Sequence, residues 1–238
     1  NEEKIIHTNL WSSELAKLTA NAFLAQRLSS INSISALCEV TGADVREVSR
    51  AIGKDSRIGS KFLNVGPGFG GSCFKKDILN LVYLANHFGL PEVANFWESV
   101  VHLNSWNQDR LTRIILEKLF GTLTEKRIGI LGFSFKANTN DTRESPAIQI
   151  CKNLLNEGAS LKIHDPKVSK RQIALDLGLP SIEECLKNDE LAKKYKKKWE
   201  KSLLDNDFFD NLDAVIVLTE WNIYSKINWE KVSKKMRS

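Results

Sequence analysis

In the stretch GFGGSCFKKD, residues 68–77, Cys73 follows a pair of glycines, Lys75 and Lys76 stand beside it, and Asp77 comes four positions on. A thiol attacks carbon only as its thiolate, a form favoured by helix N-termini and neighbouring cations. Cys73 falls at the expected start of a helix, where unpaired backbone N–H groups and the helix dipole favour an anion. The glycines let a ligand approach the backbone closely. On these residues alone two readings stand: a nucleophile, or a small buried side chain whose glycines serve only the turn. Lys17 and Asn21 form a second pair, at i and i+4 on one helix face. Leu24 and Leu28 continue that stripe, which suggests that it is at least partly buried, and a lysine there needs a partner or an anionic ligand. The plainer alternative is a lysine that snorkels to water beside a surface asparagine. A third candidate is the loop GFSFKANTNDTRESPA, residues 132–147, which places Lys136 and Arg143 between a strand and a helix N-terminus. Phosphates bind at such places in doubly wound sheets. The loop lacks GxGxxG, so the common dinucleotide fingerprint is absent. Asp165, at the end of the next strand, holds a position that often meets a ribose hydroxyl. The alternative for all of these is a surface loop with ordinary charges.

The elements that must position these residues are legible from periodicity. Leu15, Leu18, Ala22, Leu28, Ile31, Ile34, Leu37 and Cys38 predict one helix over 10–41, with Ser12 or Ser13 as cap and Gly42 as stop. A shorter helix over 44–52 is capped by Asp44. Residues 54–72 carry five glycines and one proline and read as loop. A helix should then run from Ser72 or Cys73 to about His87, and a long one from Pro91 to about Phe120. At Gly121-Thr122 the pattern changes. RIGILGF (127–133), SLKIHDP (160–166) and DAVIVLTEW (213–221) read as buried strands, and SPAIQICKNLLNEG (145–158) as a helix with Ser145 as cap and Pro146 at its first position. The fold class is therefore α/β: an all-helical domain over 1–121, then a Rossmann-like parallel α/β domain over 122–238.

The 238 residues, 42% hydrophobic and 26% charged, suit a globular protein with a real core. No apolar run reaches the roughly eighteen residues of a membrane span, so no membrane is expected. The net charge of +5 suits an anionic small molecule. Six lysines between Lys193 and Lys201 read as a solvated helix face, and no nucleic acid is expected, because aromatic platforms and a reading module are missing. The four cysteines, at 38, 73, 151 and 185, offer neither a CxxC metal pair nor a dense disulfide framework. No metal is expected, and a reduced cytoplasmic compartment is the default. Cys38 and Cys151 sit in apolar helical patterns, as core cysteines do. A start at Asn1 and a single methionine, Met236, predict a piece of a longer chain.

Together, SSELAKLTANAFLAQRLSSINSISALCEVTGADV, GFGGSCFKKD, ILGFSFKANTNDTRESPAI and LTEW resemble the UDP-glucose 6-dehydrogenase family, a branch of the UDP-glucose/GDP-mannose dehydrogenases. The resemblance implies oxidation of UDP-glucose to UDP-glucuronate with two NAD. It also implies an N-terminal NAD-binding domain, a helical dimerisation region and a C-terminal UDP-binding domain, of which this chain would supply the second and third. A homodimer or higher homo-oligomer is implied as well. By match, Cys73 is the nucleophile that carries the sugar as thiohemiacetal and thioester. Lys17 stabilises negative charge on oxygen and takes part in proton transfer, Asn21 holds the sugar and its oxygen, and Asp77 activates water. Arg57, in RIG, matches a substrate contact supplied across the dimer. Phe62 matches the UDP-sugar site, as does the loop of Asn64, Val65, Gly66, Pro67, Gly68, Phe69 and Gly70. Phe135 and Lys136 match it too. Phe74, Lys75, Lys76 and Arg143, with Cys73, match the residues that meet NAD. Asn64 departs from the lysine of the animal enzymes, and Lys75 from a frequent glutamine. The alternatives are a sister enzyme acting on GDP-mannose or UDP-N-acetylmannosamine, a non-catalytic dimerisation and nucleotide-binding module, and a thiol enzyme without NAD.

Overall fold

Helix α1 (Leu10–Thr41) is unbroken through the first expected helix and ends at Gly42, in the left-handed conformation at φ 78°. Its cap is Asn9, which accepts from the Ser12 backbone N–H at 2.8 Å, so the cap lies before the two serines expected to supply it. The buried row of α1 is Leu18, Ala22, Ala25, Ser29, Asn32 and Ser35, whereas Leu15 and Leu37 remain 40% and 61% exposed. Periodicity read from large apolar residues misplaced part of this face, because the row is continued by small and polar ones. A computed structural model describes residues 5–180, 198–205 and 207–237. Helix α2 (Val45–Ile52) is capped by Asp44 as expected, through the Arg46 N–H at 2.8 Å. Helix α3 (Phe74–His87) follows the glycine-rich loop, with Cys73 at its N-cap. Helix α4 (Pro91–Lys118) starts on its proline.

The chain divides by packing into two compact units, Asn1–Ser105 and Trp106–Ser238. The division falls inside α4, although the sequence pattern changes only at Gly121, where that helix has ended. Leu111, Ile115 and Leu116 in the second half of α4 pack on the sheet core, so side-chain burial changes allegiance before the backbone changes type. In unit 1, Leu18, Ala22 and Ala25 of α1 meet Ile78, Leu81, Val82 and Ala85 of α3 and Phe69 of the loop.

Unit 2 is a parallel sheet with helices. Strands β1 (Arg127–Leu131), β2 (Ser160–His164), β3 (Trp199–Lys201) and β4 (Ala214–Val217) lie in the order β3-β2-β1-β4. Ile128 of β1 pairs in register with Leu161 of β2 and Ala214 of β4. Between the strands run α5 (Pro146–Asn156), capped by Ser145, and α6 (Lys170–Leu177), capped by Ser169; α7 (Trp229–Ser233) follows β4. The core joins Ile128, Ile130, Phe133, Ile150, Leu154, Ile163 and Ile173, so the expected β-α-β reading holds. The lysine-rich stretch does not read as expected where it is described: 198–201 ends in strand β3, and only 193–197 lies outside the described residues, as does Cys185. Trp199 is buried and Glu200 exposed, an alternation that fits a sheet edge. Among the described residues no helix is long and apolar enough to cross a membrane.

Candidate active site

Packing of α1 on α3 joins the two pairs that the sequence singled out separately. Asp77, in the first turn of α3, is 1% exposed. Its Oδ2 accepts hydrogen bonds from Lys17 Nζ and Asn21 Nδ2, each at 2.5 Å. Burial pushes the Asp77 carboxyl up, but the bonds from Lys17 and Asn21 and the charges of Lys17 and Lys76 outweigh it and hold the group below its ordinary 3.8. Lys17 is shifted the other way, chiefly by the same hydrogen bond, with the charges of Asp77 and Cys73 adding to it against a desolvation cost. Thus both groups stay ionised at neutral pH. The partly buried stripe expected around Lys17 is only half right: its side chain is 59% exposed, and its ammonium alone reaches the buried carboxylate.

Cys73 is exposed, which removes the buried space-filler reading for it. It makes no side-chain capping bond, its Sγ lies 3.6 Å from Ser72 Oγ, and its carbonyl accepts from the Asp77 N–H at 2.8 Å. Cys38 and Cys151 are buried as expected, and burial pushes the Cys151 thiol up. Beside Cys73, Phe74 is half-buried edge-on to Phe69 at 5.9 Å; Lys75 is half-buried and Lys76 exposed.

The glycine-rich loop has no regular structure, and buried polar side chains give it shape. Asn104 accepts from the Phe69 N–H at 2.8 Å and donates to the Phe69 carbonyl at 3.1 Å, taking the place of a strand neighbour. Asn32 accepts from the Gly66 N–H at 3.0 Å, and Ser49 donates to the Leu63 carbonyl at 2.9 Å. Gly68 and Gly71 hold positive φ of 129° and 84°, where glycine is the natural residue. Of the loop residues singled out from the sequence, Phe62, Asn64 and Val65 are exposed, Gly66, Pro67, Gly68 and Gly70 are half-buried, and Phe69 is turned into the core. Asn64 and Val65 border a cavity of about 610 Å³ with Ser60, Ser49, Arg46 and Arg50. Arg57 is exposed and forks onto Asp55, with Nη2 at 2.6 Å and Nε at 3.0 Å. Sequence reading missed Asn32 and Asn104. The one available signal was their polarity within apolar helical patterns, where a buried amide must find partners.

In unit 2, the loop after β1 holds a half-buried Phe135 with Lys136 Nζ 5.3 Å from its ring centre. Arg143 forks onto Asp141 at 2.7 and 3.0 Å. Asp165 is not placed to meet a ribose. Its Oδ2 accepts from the backbone N–H groups of Phe133 (2.8 Å) and Ser134 (3.1 Å) and from Trp221 Nε1 (3.3 Å), and its Oδ1 from those of Lys167 and Val168 (both 2.9 Å). Burial pushes this carboxyl up, and the backbone donors more than reverse it, holding the group below 3.8. It is a buried knot that ties the ends of β1 and β2 to the segment after β4. Thr219 adds a bond from its Oγ1 to the Ser134 carbonyl at 2.7 Å. Gly132, at φ 93°, admits this approach: a Cβ there would lie 2.4 Å from that of Thr219. Among the described residues no group of three or more His, Cys, Asp or Glu is placed to hold a metal ion.

Residues 11–106 match the model of the UDP-glucose/GDP-mannose dehydrogenase family, central domain, and residues 129–238 that of the same family's UDP binding domain. Among curated proteins the chain is similar to UDP-glucose 6-dehydrogenase of Gallus gallus, 53% identical over 99% of this chain and 46% of that protein. It is similar to the enzyme of that name from Drosophila melanogaster, 50% identical over 99% of this chain and 48% of that one. The chain thus spans about half the length of the curated relatives it matches. Among solved structures, a UDP-glucose dehydrogenase from the archaeon Pyrobaculum islandicum superposes with a TM-score of 0.76 at 30% identity, over 92% of this chain and 45% of that one.

Proposed function

Because this chain belongs to the UDP-glucose/GDP-mannose dehydrogenase family, we propose that the protein carrying it oxidises the C6 alcohol of UDP-glucose to the carboxylate of UDP-glucuronate. The observation that carries this reading is the buried Asp77 carboxylate, bonded to Lys17 and Asn21 one helical turn from the exposed Cys73. The names of the relatives supply the substrate class.

The exposed thiol and the cationic first turn of α3 suit the approach of an anionic dinucleotide, and Phe74, Lys75 and Lys76 are the residues of unit 1 that would hold NAD. NAD, when bound, would supply the hydride acceptor for both oxidation levels, so that alcohol, two NAD and water would become carboxylate, two NADH and three protons. Lys17, kept charged by Asp77, donates to the C6 oxygen and stabilises the negative charge that develops there, a contribution of about 3 kcal/mol in comparable sites. Asn21 orients that oxygen. Cys73 thiolate adds to the aldehyde carbon, and the resulting oxyanion again faces Lys17. At the next level the sugar is a thioester on Sγ; water adds to its carbonyl, the C–S bond breaks and the thiol is released. Asp77, a carboxylate held acidic, orients Lys17 and the water instead of storing a proton. Lys136 and Phe135 in unit 2 bind the UDP part, and a homodimer supplies Arg57 from a second copy.

Three measurements test the reading. NADH formation by the full-length protein with UDP-glucose, GDP-mannose and UDP-N-acetylmannosamine should favour UDP-glucose; NADH from another sugar alone would overturn the substrate. Asp77→Asn in the same protein should lower the overall rate about a hundredfold or more, with the fold kept, since the amide loses the charge that orders Lys17. An unchanged rate removes Asp77 from the chemistry. Lys136→Ala should weaken UDP binding about tenfold by titration, and an unchanged affinity places the nucleotide elsewhere.

A further inference from the structure

The segment between α2 and α3 must hold Arg57 and Phe62 in place without a helix or strand of its own, and one side chain of α1 does much of this. Arg27 donates from Nη1 to the Ile58 carbonyl at 2.7 Å and from Nη2 to those of Gly59 (2.8 Å) and Lys61 (2.7 Å). Its Nε donates to Lys61 as well, at 3.0 Å. One planar guanidinium therefore gathers the carbonyls of three residues that lie 31 to 34 positions away in sequence. The turn it grips is already tight, since the Asp55 carbonyl accepts from the N–H groups of Ile58 (3.0 Å) and Gly59 (2.8 Å). Arg57 lies inside that turn, with Asp55 carboxylate on its own guanidinium.

The doubly bonded Lys61 carbonyl stands directly before Phe62, whose φ of 59° lies in the left-handed region. A bulky residue there costs on the order of 1 kcal/mol or more and keeps the conformation only where its surroundings impose it. Arg27 is that imposition on its N-terminal side. Among the described residues no carboxylate pairs with Arg27, so its charge is also left to the loop. A lysine could not substitute, because a single ammonium cannot span separated carbonyls as a rigid fork does.

We propose that Arg27 is a positioning residue: by clamping the turn at 58–61 it sets the place of Arg57, and through it the affinity for the diphosphate sugar. The proposal rests on the reading above that Arg57 contacts substrate. Steady-state kinetics of the full-length protein test it with Arg27→Lys, Arg27→Ala, Arg57→Ala and the double variant Arg27→Ala/Arg57→Ala. Both Arg27 variants are expected to raise the KM for UDP-glucose about tenfold, with kcat within about twofold, and lysine should rescue little although it keeps the charge. The double variant should be little worse than Arg57→Ala alone, because Arg27 acts through the same turn. A purely structural residue would instead lower the unfolding temperature and add its effect to that of Arg57. An unchanged KM in Arg27→Lys, or additive losses in the double variant, overturns the proposal. If Arg57→Ala itself leaves KM unchanged, the substrate role of Arg57 fails first and the clamp loses its purpose. Should Arg27→Ala not fold, Arg27→Lys compared with Arg57→Ala decides alone.

Discussion

Full-length protein carrying Cys73→Ser is expected to form UDP-glucuronate at about a thousandth of the normal rate or less, and to release less NADH per sugar than full oxidation requires. A serine hydroxyl ionises far less readily than a thiol, so capture of the aldehyde, and with it the thioester level, is lost. The first hydride removal does not use the thiol and should survive, which is why the NADH yield per sugar is the informative readout. Structure bears on how cleanly this experiment reads. Cys73 is exposed and its sulfur lies 3.6 Å from Ser72 Oγ, so the substitution should change stability by less than about 0.5 kcal/mol. An unchanged yield of NADH per sugar would refute covalent catalysis at this position while leaving the family membership untouched.

Removing the Asp165 carboxylate should have the largest effect on stability. Asp165→Ala strands four backbone N–H groups and the Trp221 indole N–H in a site that is 1% exposed. Buried donors that lose a charged acceptor cost about 1–3 kcal/mol each and do not add fully, so a loss of about 3–5 kcal/mol is expected. For a unit of this size that lowers the unfolding temperature by roughly 10–20 °C. Asp165→Asn should be nearly as damaging, because its NH₂ would face donors on one side. The charge also leaves a pH signature. Since the folded carboxyl lies below its ordinary 3.8, its contribution is complete above that value and disappears as pH falls through the lower folded one. Wild-type protein should therefore lose stability more steeply than the variants below about pH 4. Thermal unfolding followed by circular dichroism from pH 7 to pH 2 checks both points. A variant that unfolds within a degree or two of wild type at neutral pH would show that the knot supports little.

These two residues show what could be read in advance. The place of Cys73 at a helix start was legible because its setting is local: glycines before it, a helix beginning after it, cations within three positions. Asp165 looked like a ligand residue for the same kind of local reason, its place at a strand end. That reading failed because, beside the local N–H groups of Lys167 and Val168, its donors Phe133, Ser134 and Trp221 lie 31 to 56 positions away, and only the closed sheet brings them to it. Trp199 was misjudged in a similar way, since a run of lysines hides an edge strand whose pairing partner, Leu161, is remote.

By itself, then, the sequence determined helices α1 to α5 and strands β1, β2 and β4, the helix start at Cys73, the common face of Lys17 and Asn21 and, through its motifs, the family. Each of these depends on spacing within about one or two helical turns, which backbone geometry sets without any distant contact. Only the tertiary structure decided that Asp77 is the partner of Lys17, 60 positions away. It likewise decided that Arg27 grips the turn before Phe62, and that Asp165 is spent on backbone donors. A buried charge or amide must be satisfied by whatever the packed elements bring within about 3 Å, and periodicity carries no record of which residues those will be.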